Sequence, residues 1–140
     1  AELAYAEAIQ RISIDYKEAL DGIVTQSQAA SENPYLIIND EWKITTAVYL
    51  AALQVAGDNV RALNPPARFV PVHSDLLEAA EHYDLVAQYY AEGVDDLNST
   101  KLELATTHMQ LGSVAIQQAT AKLQALAEGA KLAKERLSIP

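Results

Sequence analysis

Three histidines, His73, His82 and His108, and a run of carboxylates, Asp75, Glu78, Glu81, Asp84, Glu92, Asp95 and Asp96, are the residues whose type and spacing bear on chemistry in this 140-residue chain. Carboxylate-bridged metal centres in helical bundles use inward glutamates and Glu-x-x-His pairs, because residues i and i+3 share a helix face. Val70, Ala79 and Ala105 stand three residues before the histidines, so that pattern is absent. Asp75, Glu78 and His82 lie on neighbouring turns of one face and are the one grouping that offers a cation. The same spacing is that of a solvated acidic face carrying a surface histidine, the commoner use of such residues. Met109 falls on an inward position with no opposing histidine, so core packing is its expected role rather than haem ligation. The sequence thus predicts no catalytic residue, no metal ligand and no cofactor.

Other motifs point the same way. Asp96 to Thr100 begins like a calcium loop, but the glycine and distal glutamate are missing at the required offsets. Asn98-Ser-Thr matches a glycosylation acceptor, which has meaning only in a secretory setting. No Gly-x-Ser-x-Gly and no glycine-rich phosphate loop occurs. The chain has no cysteine, which removes thiol catalysis, thiolate metal sites and disulfides together. Tyr5, Tyr16, Tyr49, Tyr83 and Tyr90 fall on apolar stripes, where a ring with a polar tip is ordinary packing; a small-ligand pocket among them is the alternative use.

A formal net charge of −9 repels nucleic acid and anionic membrane surfaces, so neither is an expected partner. No apolar run reaches the roughly eighteen residues needed to cross a bilayer, and the first residues lack the order of a signal peptide. A start at Ala1 without methionine fits a processed, exported chain as well as simple methionine removal.

The elements that must position these residues are helical throughout. Apolar residues recur in steps of four and three at Tyr5, Ile9, Ile12, Tyr16, Ala19, Ile23 and Ala30, then at Trp42, Thr46, Tyr49, Leu53, Ala56, Val60 and Leu63. A third series runs through Val72, Leu76, Ala79, Tyr83, Val86, Tyr90 and Leu97, and a fourth through Leu102, Ala105, Met109, Gly112, Ile116, Ala119, Leu123, Leu126, Ala130, Ala133 and Leu137. Such spacing marks one face of an amphipathic helix. Pro34, and Pro65 with Pro66, break the chain between the first three helices. The predicted helices are 2–30, 40–63, 71–97 and 100–136. Asn39 or Asp40 caps the second and Ser99 or Thr100 the fourth, with Glu103 completing a capping box. The apolar 35–38 segment is expected to tuck over one end of the core. Short loops and four seams predict one all-α domain over 1–140, an antiparallel up-down-up-down four-helix bundle. Alanine at Leu123 or Ile116 is expected to cost about 2–5 kcal/mol.

The series Leu63, Pro65, Pro66, Phe69, His73, Leu76, Leu77, Ala80 and Tyr83 resembles a pattern seen in uncharacterised bacterial exported proteins and lipoproteins, whose helical hairpin turns at Leu-x-Pro-Pro ahead of a histidine and a Leu-Leu pair. It covers 21 of the 140 residues. Pro71 departs from the charged residue usual there. The resemblance implies an extracellular, cell-surface or periplasmic helical bundle without catalytic activity, and supplies no site residue.

Residues 44–57 and 104–121 contain no charge, although an exposed bundle helix ordinarily interleaves Lys, Glu and Arg on its outer face. Val48, Ala51 and Val55 in the second helix, and Gln110, Gln117 and Thr120 in the fourth, are therefore the predicted interface. The function this predicts is that of a non-enzymatic structural or interaction subunit, pairing with a copy of itself or with other protein chains. A ligand-binding sensor or carrier is the alternative.

Overall fold

The computed structural model describes residues 1–137, which form four long helices and, among those residues, no strand. We number them α1 (Glu2–Glu32), α2 (Asp40–Ala62), α3 (Val70–Asp95) and α4 (Ser99–Leu137). Single turns of 3-10 helix, Pro34–Ile38 and Ala67–Phe69, fill the first two connections. The helices pack against one another, α1 on α2, α2 on α3, and most closely α3 on α4.

The helix limits follow local chemistry. Asn39 is the cap of α2: its Oδ1 accepts the Trp42 backbone N–H at 3.0 Å, and Asp40 with Glu41 stands at the positive end of the dipole. Pro71 lies in the first turn of α3, where a missing N–H costs nothing, so the helix starts at Val70. It ends at Asp95, two residues short of the expected limit; Leu97 takes φ 52°, which reverses the chain. Asn98 then caps α4 by accepting the Lys101 N–H at 3.2 Å, in place of the expected Ser99 or Thr100.

The core is a stack of aliphatic and aromatic side chains. Ile23, Leu53, Val60, Val72, Leu76, Tyr83 and Val86 are its largest fully buried members. Pairings fix how the helices lie. From α1 to α3, Tyr5 meets His73, Tyr16 meets Tyr83 and Ser27 meets Tyr90. Between α1 and α2, a Cβ on Gly22 would strike the Tyr49 ring at 2.3 Å, and Gln26 reaches Trp42 and Thr46. From α3 to α4, Asp75 meets Lys122, Tyr83 meets Ser113, and Gly93 lies against Leu102.

Three expectations need correction. Leu36 and Ile37 pack on the core, but Tyr35 and Ile38 stay exposed, so the 35–38 segment is only half tucked in. Leu123 and Ile116 are half-buried rather than core residues. Most important, α4 runs beyond the other helices: every residue from Ala127 to Leu137 is exposed, Ala130 and Ala133 included. At about 1.5 Å per residue α4 spans about 58 Å and α3 about 39 Å, so α3 is too short to cover it.

Candidate functional site

The histidines do not converge on one site. His73 is buried at the start of α3, where its Nδ1 lies 2.8 Å from the Tyr5 hydroxyl. Burial raises the Tyr5 phenol to about 12, so it keeps its proton, and burial pushes the His73 imidazole down, so the pair shares one hydrogen bond between neutral groups whose donor is set by the imidazole tautomer. This bond fastens α1 to α3.

His82 on α3 and His108 on α4 form a second, half-buried contact, Nδ1 to Nδ1 at 3.0 Å. Their ring centres are 5.2 Å apart, so they meet through the nitrogen edges, one donating and the other accepting. Tyr89 lies beside His108, centre to centre at 5.7 Å with planes 15° apart. Burial first, and the neighbouring His82 second, hold His108 below the ordinary imidazole value. Glu78 approaches the other side of His82, 3.8 Å from its Nε2.

The candidate cation group dissolves in this arrangement. Asp75 turns away from Glu78 and His82 to Lys122, whose Nζ lies 2.8 Å from its Oδ2. Among the described residues no three His, Asp or Glu side chains are grouped so as to hold a metal. Met109 packs partly buried beside Tyr83 in a groove between α1 and α4.

Two polar clusters escaped sequence reasoning. Gln26 on α1 bonds both the carbonyl of Trp42 and the hydroxyl of Thr46, each at 3.1 Å, while the Trp42 indole donates to the Gln26 carbonyl. This explains how Thr46 occupies a core position: its hydroxyl is partnered. The second lies at Gly57, where a Cβ would approach Arg61, Asp84 and the Tyr16 hydroxyl. Arg61 pairs with Asp84 there, and the Tyr16 hydroxyl is buried beside them, its ionisation opposed first by burial and then by Asp84. The charge reversal from Arg61 to Asp84 across two helices has no local sequence signal, and neither does Gln26.

All six predicted interface residues are exposed, on two separate surfaces. Val48, Ala51 and Val55 line a shallow groove of about 350 Å³ between α1 and α2, above Ala19 and Ala56. Val48 and Val55 are 61% and 57% exposed, and Ile44 beside them 66%, so the chain leaves this apolar ridge uncovered. Gln110 and Gln117 lie on the flank of α4, and Gln117 also borders the groove with α1; Thr120 follows on the same helix.

Sequence reasoning passed over the outermost line of α4. Leu104, Leu111 and Val114 are 38%, 43% and 48% exposed. Thr107, Gln118, Ala121, Ala125 and Leu132 continue their line, opposite the buried Ala105, Gly112 and Ala119. The seven-residue steps from Leu104 to Leu111, and from Thr107 to Val114 and Ala121, were its available signal. A further apolar groove, about 340 Å³, lies between α2 and α3 among Trp42, Ile44, Leu50, Tyr90 and Val94. No described helix is long and apolar enough to cross a membrane. No family model, curated protein or solved structure matches the chain.

Proposed function

We propose that this protein is a non-enzymatic structural or interaction subunit that assembles, with copies of itself or in a complex of other chains, through the uncharged faces of α2 and α4. The observation that carries the reading is the exposure of Ile44, Val48 and Val55 on α2 and of Leu104, Leu111 and Val114 on α4, in stretches free of charge. Burying such surfaces removes apolar area from water without stranding an ion. We place these faces on an up-down-up-down antiparallel bundle. Pairings that rise together between α1 and α3, and that rise on α3 while falling on α4, support it. An extracytoplasmic setting, taken from the Leu63 to Tyr83 resemblance, belongs to the same proposal.

Sedimentation and light scattering over a range of concentrations test the reading. The expected result is a defined oligomer, dissociated by Val48→Lys combined with Gln117→Glu while helicity is retained. A monomer at every concentration sinks self-assembly and leaves only a foreign partner. The groove at Trp42 favours a second reading, a carrier or sensor for a small apolar ligand, with Trp42 emission as its reporter.

A further inference from the structure

We infer that the outer stripe of α4 is the contact surface for a second copy of the chain, whose α4 lies alongside it in the antiparallel direction about a two-fold axis near residue 116. This rests on the assembly reading and specifies its partner and geometry on α4. Three observations lead to it. Leu104, Thr107, Leu111, Val114, Gln118, Ala121 and Ala125 are all exposed and repeat in steps of three and four, the spacing of a coiled-coil seam, on the side of α4 turned away from its own core; the exposed Glu128 takes the next position and Leu132 the one after. The stripe is about 42 Å long at the rise of an α-helix, and its charge-free part is bounded by Glu103 and Lys122.

The second observation is the overhang. Residues 127–137 are helical although every one is exposed, and a Cβ on Gly129 would meet nothing within 4 Å. A segment of about eleven residues without packing is marginal as a helix in water. An antiparallel partner covers it.

Charge selects that partner and its direction. Asp95, Asp96 and Glu103 stand around the start of α4, and at its end Lys131, Lys134 and Arg136 outnumber Glu128 and Glu135, all of them exposed. Lys101, the base at the acidic end, is already paired with Glu92 and Asp96. A parallel pair sets acid against acid and base against base; an antiparallel pair sets each end against its opposite. With the axis near residue 116, Leu111 faces Ala121 of the second copy, Val114 faces its Gln118, and Arg136 reaches its Asp95. An interface of this kind is isologous and closes as a dimer.

The chain has no cysteine, so single cysteines report the geometry directly. Leu111→Cys and Ala121→Cys variants, mixed and treated with a short bismaleimide, should give at least about tenfold more cross-linked dimer than either alone, because the interface holds the two thiols at high effective concentration. Leu111→Glu should abolish the dimer with helicity retained by circular dichroism. Cross-linking of either variant to itself in preference to the mixture overturns the antiparallel arrangement. An oligomer that survives Leu111→Glu but falls to Val48→Lys overturns the α4 two-fold and leaves the broader assembly reading standing. A wild-type monomer at every concentration overturns the α4 two-fold and self-assembly together and leaves only a foreign partner.

Discussion

Along α3 every turn from Val72 to Val94 contributes buried side chains, twelve residues in 26, whereas α4 buries four in 39. Their apolar spacing is the same. The difference is what surrounds them: α3 meets α1 through Tyr5, Tyr16 and Ser27, α2 through Arg61, and α4 through Ser113 and Leu102. By contrast α4 leans almost wholly on α3, where Gly112 and Ala105 allow close approach. A seam in a sequence states which residues share a face; burial depends on whether a neighbour is long enough and near enough to cover it.

The contrast predicts unequal costs for the same change. Leu76→Ala should destabilise the protein by about 2–5 kcal/mol, since Leu76 is 1% exposed and the surrounding helices cannot collapse into the space. Leu123→Ala, on α4 and half-buried, should cost only about 1 kcal/mol, below the value expected from its place on the seam. Urea denaturation of the two variants measures this directly. Equal losses would mean that α4 is as firmly packed as α3.

A smaller effect follows from the two histidines whose protonation burial opposes, His73 inside the bundle and His108 at the α3–α4 contact. Both imidazoles sit below the ordinary value near 6.5 in the folded protein. Above that value they are neutral folded or unfolded and have no effect on the balance. Below it, the unfolded chain takes up protons that the folded chain resists, so stability falls as the pH drops. For His108 the acceptor or donor partner is His82, with Glu78 on its far side and Tyr89 across the ring. His108→Gln should therefore flatten the fall in melting temperature between pH 7 and 5.5, and His73→Gln should flatten it too, at a greater cost at neutral pH because Tyr5 loses its partner. An unchanged slope in both variants would assign the acid sensitivity to carboxylates.

Most of the fold was legible because its determinants are local and periodic. Tyr5, Ile9, Ile12, Tyr16, Ala19 and Ile23 on α1 are buried as their spacing requires, and Leu53, Ala56 and Val60 on α2 likewise. The illegible parts are those decided by residues distant in sequence. Leu50 lies off its seam yet is buried, because Tyr90 and Val94 of α3 lie across the groove from it. Gly22 bears no turn signal; it is small because the Tyr49 ring occupies the space. Thr46 reads as a flaw in an apolar seam until Gln26 supplies its hydrogen bond. The histidine edge contact joins residues 26 apart, and neither helix alone announces it. Of the candidate surface, the charge-free stretches in α2 and α4 were visible in sequence, but which of their residues point outward depends on where α1 and α3 sit.

The smallest effect is the sharpest test of the comparison, because it concerns a part of α4 that is exposed throughout. Gly129 is in the overhang, has ordinary helical φ, and would carry a Cβ into open space. Alanine is better than glycine in a helix interior by about 0.8–1.0 kcal/mol, so Gly129→Ala should raise local helix stability by that amount. Hydrogen exchange of amides 127–137 should slow by about fourfold to fivefold, the equilibrium equivalent of that energy. The global melting temperature of the monomer should not move, since those residues are all exposed and unfold ahead of the core. At Gly112 the same added methyl would enter the Tyr83 ring at 2.6 Å, which shows how completely the surroundings decide the sign. A rise in melting temperature for Gly129→Ala that grows with protein concentration would show that the overhang is coupled to the fold through another copy. A rise independent of concentration would show that it packs within its own chain, and would dissolve the distinction between the two helices.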